Sequence, residues 1–375
     1  MDQLKVVVVS QRERPDGYGQ QPGYVCFSEA EDVLVATTQA DVAMVDRSPN
    51  GPAFRLRRGL GRVLRRTTGS TAALPPLPGQ RRLSGPKGAR YDLAVLVGFT
   101  IWDLPLLERL YDLRRRCERV VAWFPEVWPS ELADTRIGYE PFAIVDDIFV
   151  GVADAAPGLS QLLGRPVHYL PMAADVARFA ALAPAEPRPI DVLGIGRRQP
   201  RLHDALLEWS RKSSKLYLYD TLSGPLVLDP RAHRENLADN YRRSSVAITH
   251  FAKFDQPEVI TGLRELPGRI WEGLASGVVM VGAPPDETLQ RHSVGDSVVI
   301  ELPTDPHEAV ELIDELHRGP VTAIRRRNIE LALRRNDWAH RWQVVFDTAG
   351  LPVPLGLRAR IDRLAEMAAM FHHDP

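Results

Sequence analysis

The sequence predicts an α/β protein with two doubly wound domains that face each other. Three observations lead to this fold class. Short β-branched runs alternate with helical segments, the alternation stops near residues 170–188 and starts again, and a chain of 375 residues exceeds one ordinary core. A stretch rich in proline and alanine at 180–189 is typical of a linker. We therefore expect a first domain at 1–172, a second at 173–350 and a terminal segment at 351–375.

The composition narrows the class of protein. Hydrophobic residues make up 44% of the chain, which is normal for a globular protein, and the formal net charge of -1 argues against nucleic acid as a partner. Two cysteines provide neither a disulfide framework nor a metal quartet, as is typical of a reducing compartment. Residues 1–10 are too short for a signal peptide, and no apolar run approaches the roughly 20 residues of a membrane span. We therefore expect a cytoplasmic protein.

The first domain is predicted to begin with a buried strand, after which strands and helices alternate. Apolar, β-branched runs predict strands at 5–9, 33–36, 42–45, 93–98, 120–124 and 144–150. Leucines at every third position from Leu104 to Leu113 predict a helix over 104–116. This alternation predicts a mainly parallel sheet with helices on both faces.

Two adjoining segments interrupt the first domain. Residues 67–90 are rich in Gly, Pro, Ser and basic side chains without core-forming periodicity, so we expect a mobile insert there. Residues 55–66 place apolar side chains from Leu56 to Leu64 on one helical face among arginines. This basic segment either makes a peripheral contact with an anionic membrane or is a solvated helix that packs its leucines on the sheet.

The second domain repeats the alternation. Strands are predicted at 190–194, 216–219, 246–249 and 278–281. Helices are predicted at 269–276, 328–342 and 357–370.

Residues 269–281 are the most informative stretch of the chain. They predict a helix that begins after Pro267 and Gly268, ends at Gly277, and leads into a buried strand. Glu272 falls in the first turn, where unpaired backbone N–H groups bind phosphates and a carboxylate can accept hydrogen bonds from sugar hydroxyls. The alternative is an ordinary helix–strand corner of a doubly wound sheet.

This stretch resembles the E-a-x-A-x-G-x-P/V signature of GT-B nucleotide-sugar glycosyltransferases, in particular the retaining bacterial group 1 (family four) enzymes. Residues 169–179 resemble the family's lP-n-G-v-D-x-x-x-F junction, and residues 192–198 resemble its f-v-G-r strand and turn. The resemblance covers roughly residues 165–345. It implies two Rossmann-like domains facing across a cleft, with a C-terminal helix that crosses back to the first domain.

The resemblance also implies a donor site in the second domain. In the family, an Arg after the strand and a nearby Lys grip the nucleotide diphosphate; Arg197 matches the Arg, and Arg201 is the nearest candidate for the Lys, one residue out of register. Glu272 would bind the ribose. No Asp-x-Asp metal motif appears, so we expect neither a metal nor another cofactor. The full set of expected donor-binding residues is Gly196, Arg197, Arg201, Thr261, Gly262, Leu263, Arg269 and Glu272.

The chain departs from the family at two points. The family usually carries two glutamates eight positions apart, but Arg264 stands eight before Glu272 and Glu265 only seven before it. The family's first-domain histidine is also missing, since the earliest histidine is His168.

Two residues are candidates for catalysis. Glu126 follows a strand end among Trp and Phe, where it would assist proton transfer or else be a solvated carboxylate beside an aromatic core patch. His250 sits at the matching edge of the second domain, where it would face the nucleotide or sugar or else be a satisfied core histidine.

The predicted function is the transfer of a sugar from a nucleoside-diphosphate sugar to a hydroxyl acceptor, with retention as the resemblance implies. The acceptor would be a glycan, a lipid-linked molecule or a small molecule. One alternative is a catalytically silent protein of the same fold that binds a nucleotide sugar or scaffolds a partner. The other is a nucleotide-sugar epimerase.

Overall fold

The computed structural model describes residues 4–13, 20–45, 80–83, 88–132, 140–181, 188–220 and 227–371. The basic segment 55–66 lies outside the described residues, as does most of the predicted insert 67–90. Neither prediction is therefore tested. In the described part of the chain, no helix is long and apolar enough to cross a membrane.

The first sheet is parallel and has six strands in the order β2-β1-β3-β4-β5-β6. Val6 and Val8 of the first strand face one apolar core while Val7 and Val9 face another, so both faces of the sheet are covered. The strands are β1 (Val6–Ser10), β2 (Asp41–Met44), β3 (Tyr91–Val97), β4 (Cys117–Phe124), β5 (Asp147–Val150) and β6 (His168–Tyr169).

The second sheet is also parallel, with five strands in the order β11-β10-β9-β7-β8. The chain passes from one sheet to the other between β6 and β7. The strands are β7 (Ile190–Gly194), β8 (Tyr217–Tyr219), β9 (Ser244–Ile248), β10 (Val279–Gly282) and β11 (Val299–Glu301).

Helices cover both sheets. Within the described ranges, 3-10 helices lie at Ile101–Arg109, Pro129–Glu131 and Glu140–Ile144. The α-helices are α1 (Val25–Thr38), α2 (Leu113–Arg116), α3 (Ala155–Leu163), α4 (Val176–Phe179), α5 (Pro200–Ser213), α6 (Pro230–Arg242), α7 (Pro257–Ile260), α8 (Arg269–Ser276), α9 (Glu287–Ser293), α10 (Pro306–Arg318), α11 (Thr322–Arg335), α12 (Trp338–Thr348) and α13 (Leu355–Ala369).

The prediction of a strand at 33–36 is wrong, because these residues belong to α1. Phe27, Ala30 and Leu34 recur at helical spacing and are fully buried on one face. The window 33–36 contains two valines and no polar residue, which favours a strand, whereas the helical period becomes visible only over the whole segment.

Two predicted helices are broken. Residues 104–116 form part of a 3-10 helix and then α2, since Pro105 inside the segment lacks the N–H that a regular helix needs. Residues 328–342 are divided between α11 and α12, where Asp337 caps the second helix by accepting the backbone N–H of Ala339 at 2.8 Å.

The C-terminal helices return to the first domain, as predicted. Trp338 and Trp342 of α12 pack edge-on against Trp123 of β4, with ring centroids 5.5 and 6.4 Å apart. A side chain at Gly356 would lie 2.3 Å from the carbonyl oxygen of Thr37, so α13 approaches the end of α1 at a distance that only glycine permits. The predicted fold class is therefore confirmed.

Candidate functional site

The carboxyl ends of the two sheets meet at a cleft that contains two recesses. Ligands of open parallel sheets bind at such strand ends. The outer recess lies against the second sheet and is lined by Gly194, Arg197, Arg198, His203, Tyr217 and His250, among others. The inner recess lies between the sheets and is lined by residues that include Glu126, Trp128, Met172, Glu265, Gly268 and Trp271.

The turn after β7 packs directly against the first residue of α8. Gly196 has a φ of 79°, and a Cβ at this position would lie 1.7 Å from Nη2 of Arg269. The guanidinium of Arg269 therefore occupies the space where any other residue would have a side chain. The backbone N–H of Gly196 donates to the carboxylate of Asp220 at 2.9 Å. Two predicted donor-binding residues, Gly196 and Arg269, are thus brought together.

The two other predicted cations occupy different surroundings. Arg197 lines the outer recess and donates to both carboxylate oxygens of Asp255, at 2.8 and 2.9 Å, in an exposed pair. Arg201 is exposed on the first turn of α5 and is not among the residues that line the outer recess. Arg198, which the sequence analysis did not single out, lines the recess and stacks over the ring of Tyr219 at 5.4 Å.

His250 presents a hydrogen-bond donor at the outer recess. Its Nδ1 accepts the backbone N–H of Ala283 at 3.0 Å, which leaves the proton of a neutral ring on Nε2. Burial, and then the positive charge of Arg269, lower the pKa of His250 to about 4. The buried Nε2 has no hydrogen-bond partner among the described residues. The ring is therefore neutral at pH 7 and suited to donate to a ligand oxygen.

The loop at Thr261, Gly262 and Leu263 is exposed or half-buried and lies beside the first domain. Thr261 donates its backbone N–H to Pro257 at 3.0 Å, and Leu263 donates to Ile260 at 2.9 Å. These two backbone donors are engaged within the turn, so the loop offers a ligand fewer groups than the sequence predicts.

Glu272 is buried in a charge cluster with Arg234 and Glu29, and Arg178 lies at the edge of this cluster, 3.8 Å from Glu29. Its carboxylate accepts from Nη1 of Arg234, whose Nε and Nη2 donate to Glu29 at 2.8 and 3.2 Å. Glu29 lies on α1 of the first domain, Arg234 on α6 and Glu272 on α8, so the cluster connects the two domains. Although burial opposes it, the two carboxylates hold the pKa of Arg234 above its ordinary value.

Glu126 faces the cleft and holds a lysine from the other domain. Its Oε2 lies 3.2 Å from Nζ of Lys253 and accepts the indole N–H of Trp128 at 3.0 Å. Lys253 also stacks over the ring of Trp128 at 4.7 Å. Lys253 is not among the residues predicted from the sequence, although it follows the end of β9 by five residues, just as Glu126 follows the end of a strand.

Glu265 lies in the wall of the inner recess and is 4% exposed. It accepts the backbone N–H of Ala153 in the first domain at 3.0 Å and that of Leu266 at 2.8 Å. Burial raises the pKa of Glu265 from 4.5 to about 7. The residue seven positions before Glu272 is therefore at the cleft, despite its irregular spacing.

Replacing Glu265 by glutamine should flatten the dependence of stability on pH. Between pH 4.5 and about 7 the folded protein keeps a proton on Glu265 that the unfolded chain releases, so its contribution to stability is lost as pH rises through this window. As the pH rises from 4.5 to 8, the free energy of unfolding of Glu265→Gln should increase by about 2–3 kcal/mol relative to that of the wild type. Urea denaturation at both pH values measures this. Glu258→Gln, at an exposed site, is the control. The same change in the free energy of unfolding with pH in the wild type and in Glu265→Gln would contradict the prediction.

Among the described residues, no group of three or more His, Cys, Asp and Glu side chains is arranged to hold a metal ion. The described residues of the site include cations, a neutral imidazole donor and a helix amino terminus.

Two parallel sheets facing across a cleft, with a C-terminal helix that returns to the first domain, define the GT-B fold. An α-glucosyltransferase solved with UDP and a 13-mer DNA containing an HMU base is similar, with a TM-score of 0.56 and 13% identity over 93% of this chain and 100% of that chain. The α-glucosyltransferase with UDP-glucose and DNA containing an abasic site has a TM-score of 0.53 and 13% identity, with the same coverage. OtsA in its apo form has a TM-score of 0.50 and 12% identity, again over 93% and 100%.

These similarities establish the fold, which this chain shares with glycosyltransferases. No protein-family model matches the sequence. No curated protein matches it significantly either.

Proposed function

We propose that the protein is a glycosyltransferase that moves a sugar from a nucleoside-diphosphate donor to a hydroxyl acceptor, with retention, as in the family-four enzymes that its motifs resemble. The observation that carries this proposal is the packing of Arg269 against Gly196 beside the unpartnered Nε2–H of His250. A guanidinium, an imidazole donor and the amino terminus of α8 converge there. Together they match the charge and the acceptors of a diphosphate.

The same groups account for catalysis by the proposed enzyme. As the bond from the sugar to the diphosphate breaks, negative charge grows on the leaving oxygen, and Arg269 and the helix amino terminus stabilise it. The hydroxyl of the acceptor forms the new bond to the sugar, and its proton passes to a phosphate oxygen of the donor or to Glu126. This chemistry requires no metal.

UDP is our choice of test nucleotide because the similar α-glucosyltransferase was solved with it. That enzyme was also solved with DNA, but we propose no nucleic acid partner for this chain because its formal net charge is -1. We also propose that the domains are divided at 1–172, 173–350 and 351–375 and that the enzyme is cytoplasmic. Peripheral membrane contact through residues 55–66 is proposed on sequence grounds alone.

Arg269→Ala should weaken UDP binding about 10- to 100-fold, because a charged donor to the diphosphate is lost. Isothermal titration calorimetry measures the affinity. Arg291→Ala, on the exposed surface of α9, is the matched control and should bind UDP like the wild type. Wild-type affinity in a folded Arg269→Ala variant would show that the diphosphate does not bind at this turn. Absence of UDP binding by the wild type would refute a UDP donor.

A catalytically silent binding protein is the second candidate function. Two of the predicted donor-binding residues are already paired within the protein, Arg197 with Asp255 and Glu272 with Arg234. Release of UDP from UDP-sugars in the absence of acceptor separates the two functions, since a silent protein would bind the donor without hydrolysing it.

A further inference from the structure

The two recesses lie next to each other at the amino terminus of α8. Gly268 lines the inner recess, and the next residue, Arg269, packs on the turn that borders the outer recess. In the same way, His250 lines the outer recess and Ala252, two residues on, lines the inner one. A diphosphate bound at this junction therefore has one end directed to each recess.

The inner recess has the chemistry of a site for sugar hydroxyls. The carboxylates of Glu126 and Glu265 are acceptors, and hydroxyl groups are their natural donors. The side chains of Trp128 and Trp271 provide apolar ring surface. Trp271 is fully buried, and its indole Nε1 has no hydrogen-bond partner among the described residues. A buried N–H without a partner is costly, so this group points to a ligand or water oxygen in the recess.

The charge of the inner recess selects among sugars. Among the described residues that line it, none is Arg or Lys, and two are glutamates. Two cations that border the recess are both engaged within the protein. Lys253 is held by Glu126 at 3.2 Å. Arg341 donates to the backbone carbonyl oxygens of two residues that line the recess, at 3.0 and 3.2 Å. Because Glu126 is paired with Lys253, a carboxylate on the sugar would mainly meet the ionised carboxylate of Glu265, whose described partners are two backbone N–H groups. Two like charges in a partly desolvated space repel each other, which is unfavourable.

We propose that the inner recess binds the sugar of the donor and admits an uncharged, hydroxyl-rich sugar while rejecting a hexuronate. This inference rests on the proposed function, because it takes the diphosphate to lie at the junction of the recesses. Trp271 and Glu265 are the residues that determine the specificity.

Calorimetry with UDP, UDP-glucose and UDP-glucuronate at pH 8 tests the inference. The wild type should bind UDP-glucose at least as tightly as UDP, and UDP-glucuronate at least 10-fold more weakly than UDP-glucose. Glu265→Gln should reduce that ratio to about threefold or less and leave the affinity for UDP unchanged. The exposed Glu258→Gln should keep the wild-type ratio.

Trp271→Phe provides a second, independent variant, since it keeps a ring and removes the unpartnered N–H. Its affinity for UDP-glucose should fall about 3- to 10-fold, as expected for one lost hydrogen bond, while its affinity for UDP stays the same. Equal wild-type affinity for the two UDP-sugars, or parallel losses for UDP and UDP-glucose in Trp271→Phe, would overturn the inference. Failure of UDP itself to bind would instead refute a UDP donor, so the two failures are distinguishable.

Discussion

Replacing Arg234 by methionine should lower the free energy of unfolding by about 3–5 kcal/mol, because it leaves two buried carboxylates without their shared cation. Arg234 is 3% exposed, and its side chain lies between Glu29 and Glu272. Methionine fills much of the same volume, so the loss reports mainly on charge and hydrogen bonding. Urea denaturation monitored by tryptophan fluorescence measures it.

Arg243→Met is the matched control for this variant. Arg243 follows α6 directly, its side chain is 55% exposed, and its ion pair with Asp239 is a surface pair. Such pairs contribute about 0–1 kcal/mol, so the control should differ little from wild type. Comparable losses in the two variants would contradict a structural role for the buried cluster.

A triple variant separates lost packing from uncompensated charge. Adding Glu29→Gln and Glu272→Gln to Arg234→Met removes the two buried negative charges, so part of the lost stability should return. No recovery would mean that the carboxylates are solvated or protonated in the single variant, and that charge is not the cause of the loss.

The buried cluster shows which features of the site could be predicted from the sequence and which could not. The position of Glu272 in the first turn of a helix is visible in the sequence, and the structure has it there. The partners of Glu272 cannot be predicted from the sequence, since Glu29 and Arg234 lie 205 positions apart. Each is a charged helical residue, and such residues are usually exposed to solvent. Only the docking of α1 against α6 and α8 brings the three charges together.

The strands were easier to predict than the helices. Largely apolar runs such as 93–98 and 120–124 become buried parallel strands because both faces of each sheet are covered. The short strand β6 has no such run, and Pro105 and Asp337 break helices that the leucine or tryptophan spacing alone would extend. The positions at which helices end therefore depend on proline and on capping side chains, which hydrophobic periodicity does not reveal.

The site shows a similar division. The sequence placed Glu126, Arg197 and His250 just after predicted strands, where ligand sites of parallel sheets lie, and the structure has all three in the walls of the recesses. The sequence did not show that Arg197 is already paired with Asp255. It also did not show that Lys253 forms an ion pair with Glu126 on the other side of the cleft. Those pairings depend on side-chain geometry across the two domains, which no local pattern encodes.

Glu126→Gln should lower turnover by about 10²-fold or more if this carboxylate takes the proton of the acceptor hydroxyl. Glutamine keeps the shape and can still accept the indole N–H of Trp128, but it has neither the charge nor the basicity. The affinity for UDP should stay within about twofold of wild type, since the proposed diphosphate site lies against the second sheet. The rate of UDP release from a hydrolysed UDP-sugar measures turnover, with water as the acceptor.

Lys253→Met distinguishes the two roles of the Glu126–Lys253 pair. If the pair serves mainly to hold the domains together, both variants should lose stability and activity to a similar extent. If Glu126 is the base, Lys253→Met should retain far more turnover than Glu126→Gln, because the carboxylate remains and loses only its paired cation. Near wild-type turnover in Glu126→Gln would show that the residue only packs and pairs. The phosphate oxygen of the donor would then be left as the group that accepts the proton of the acceptor.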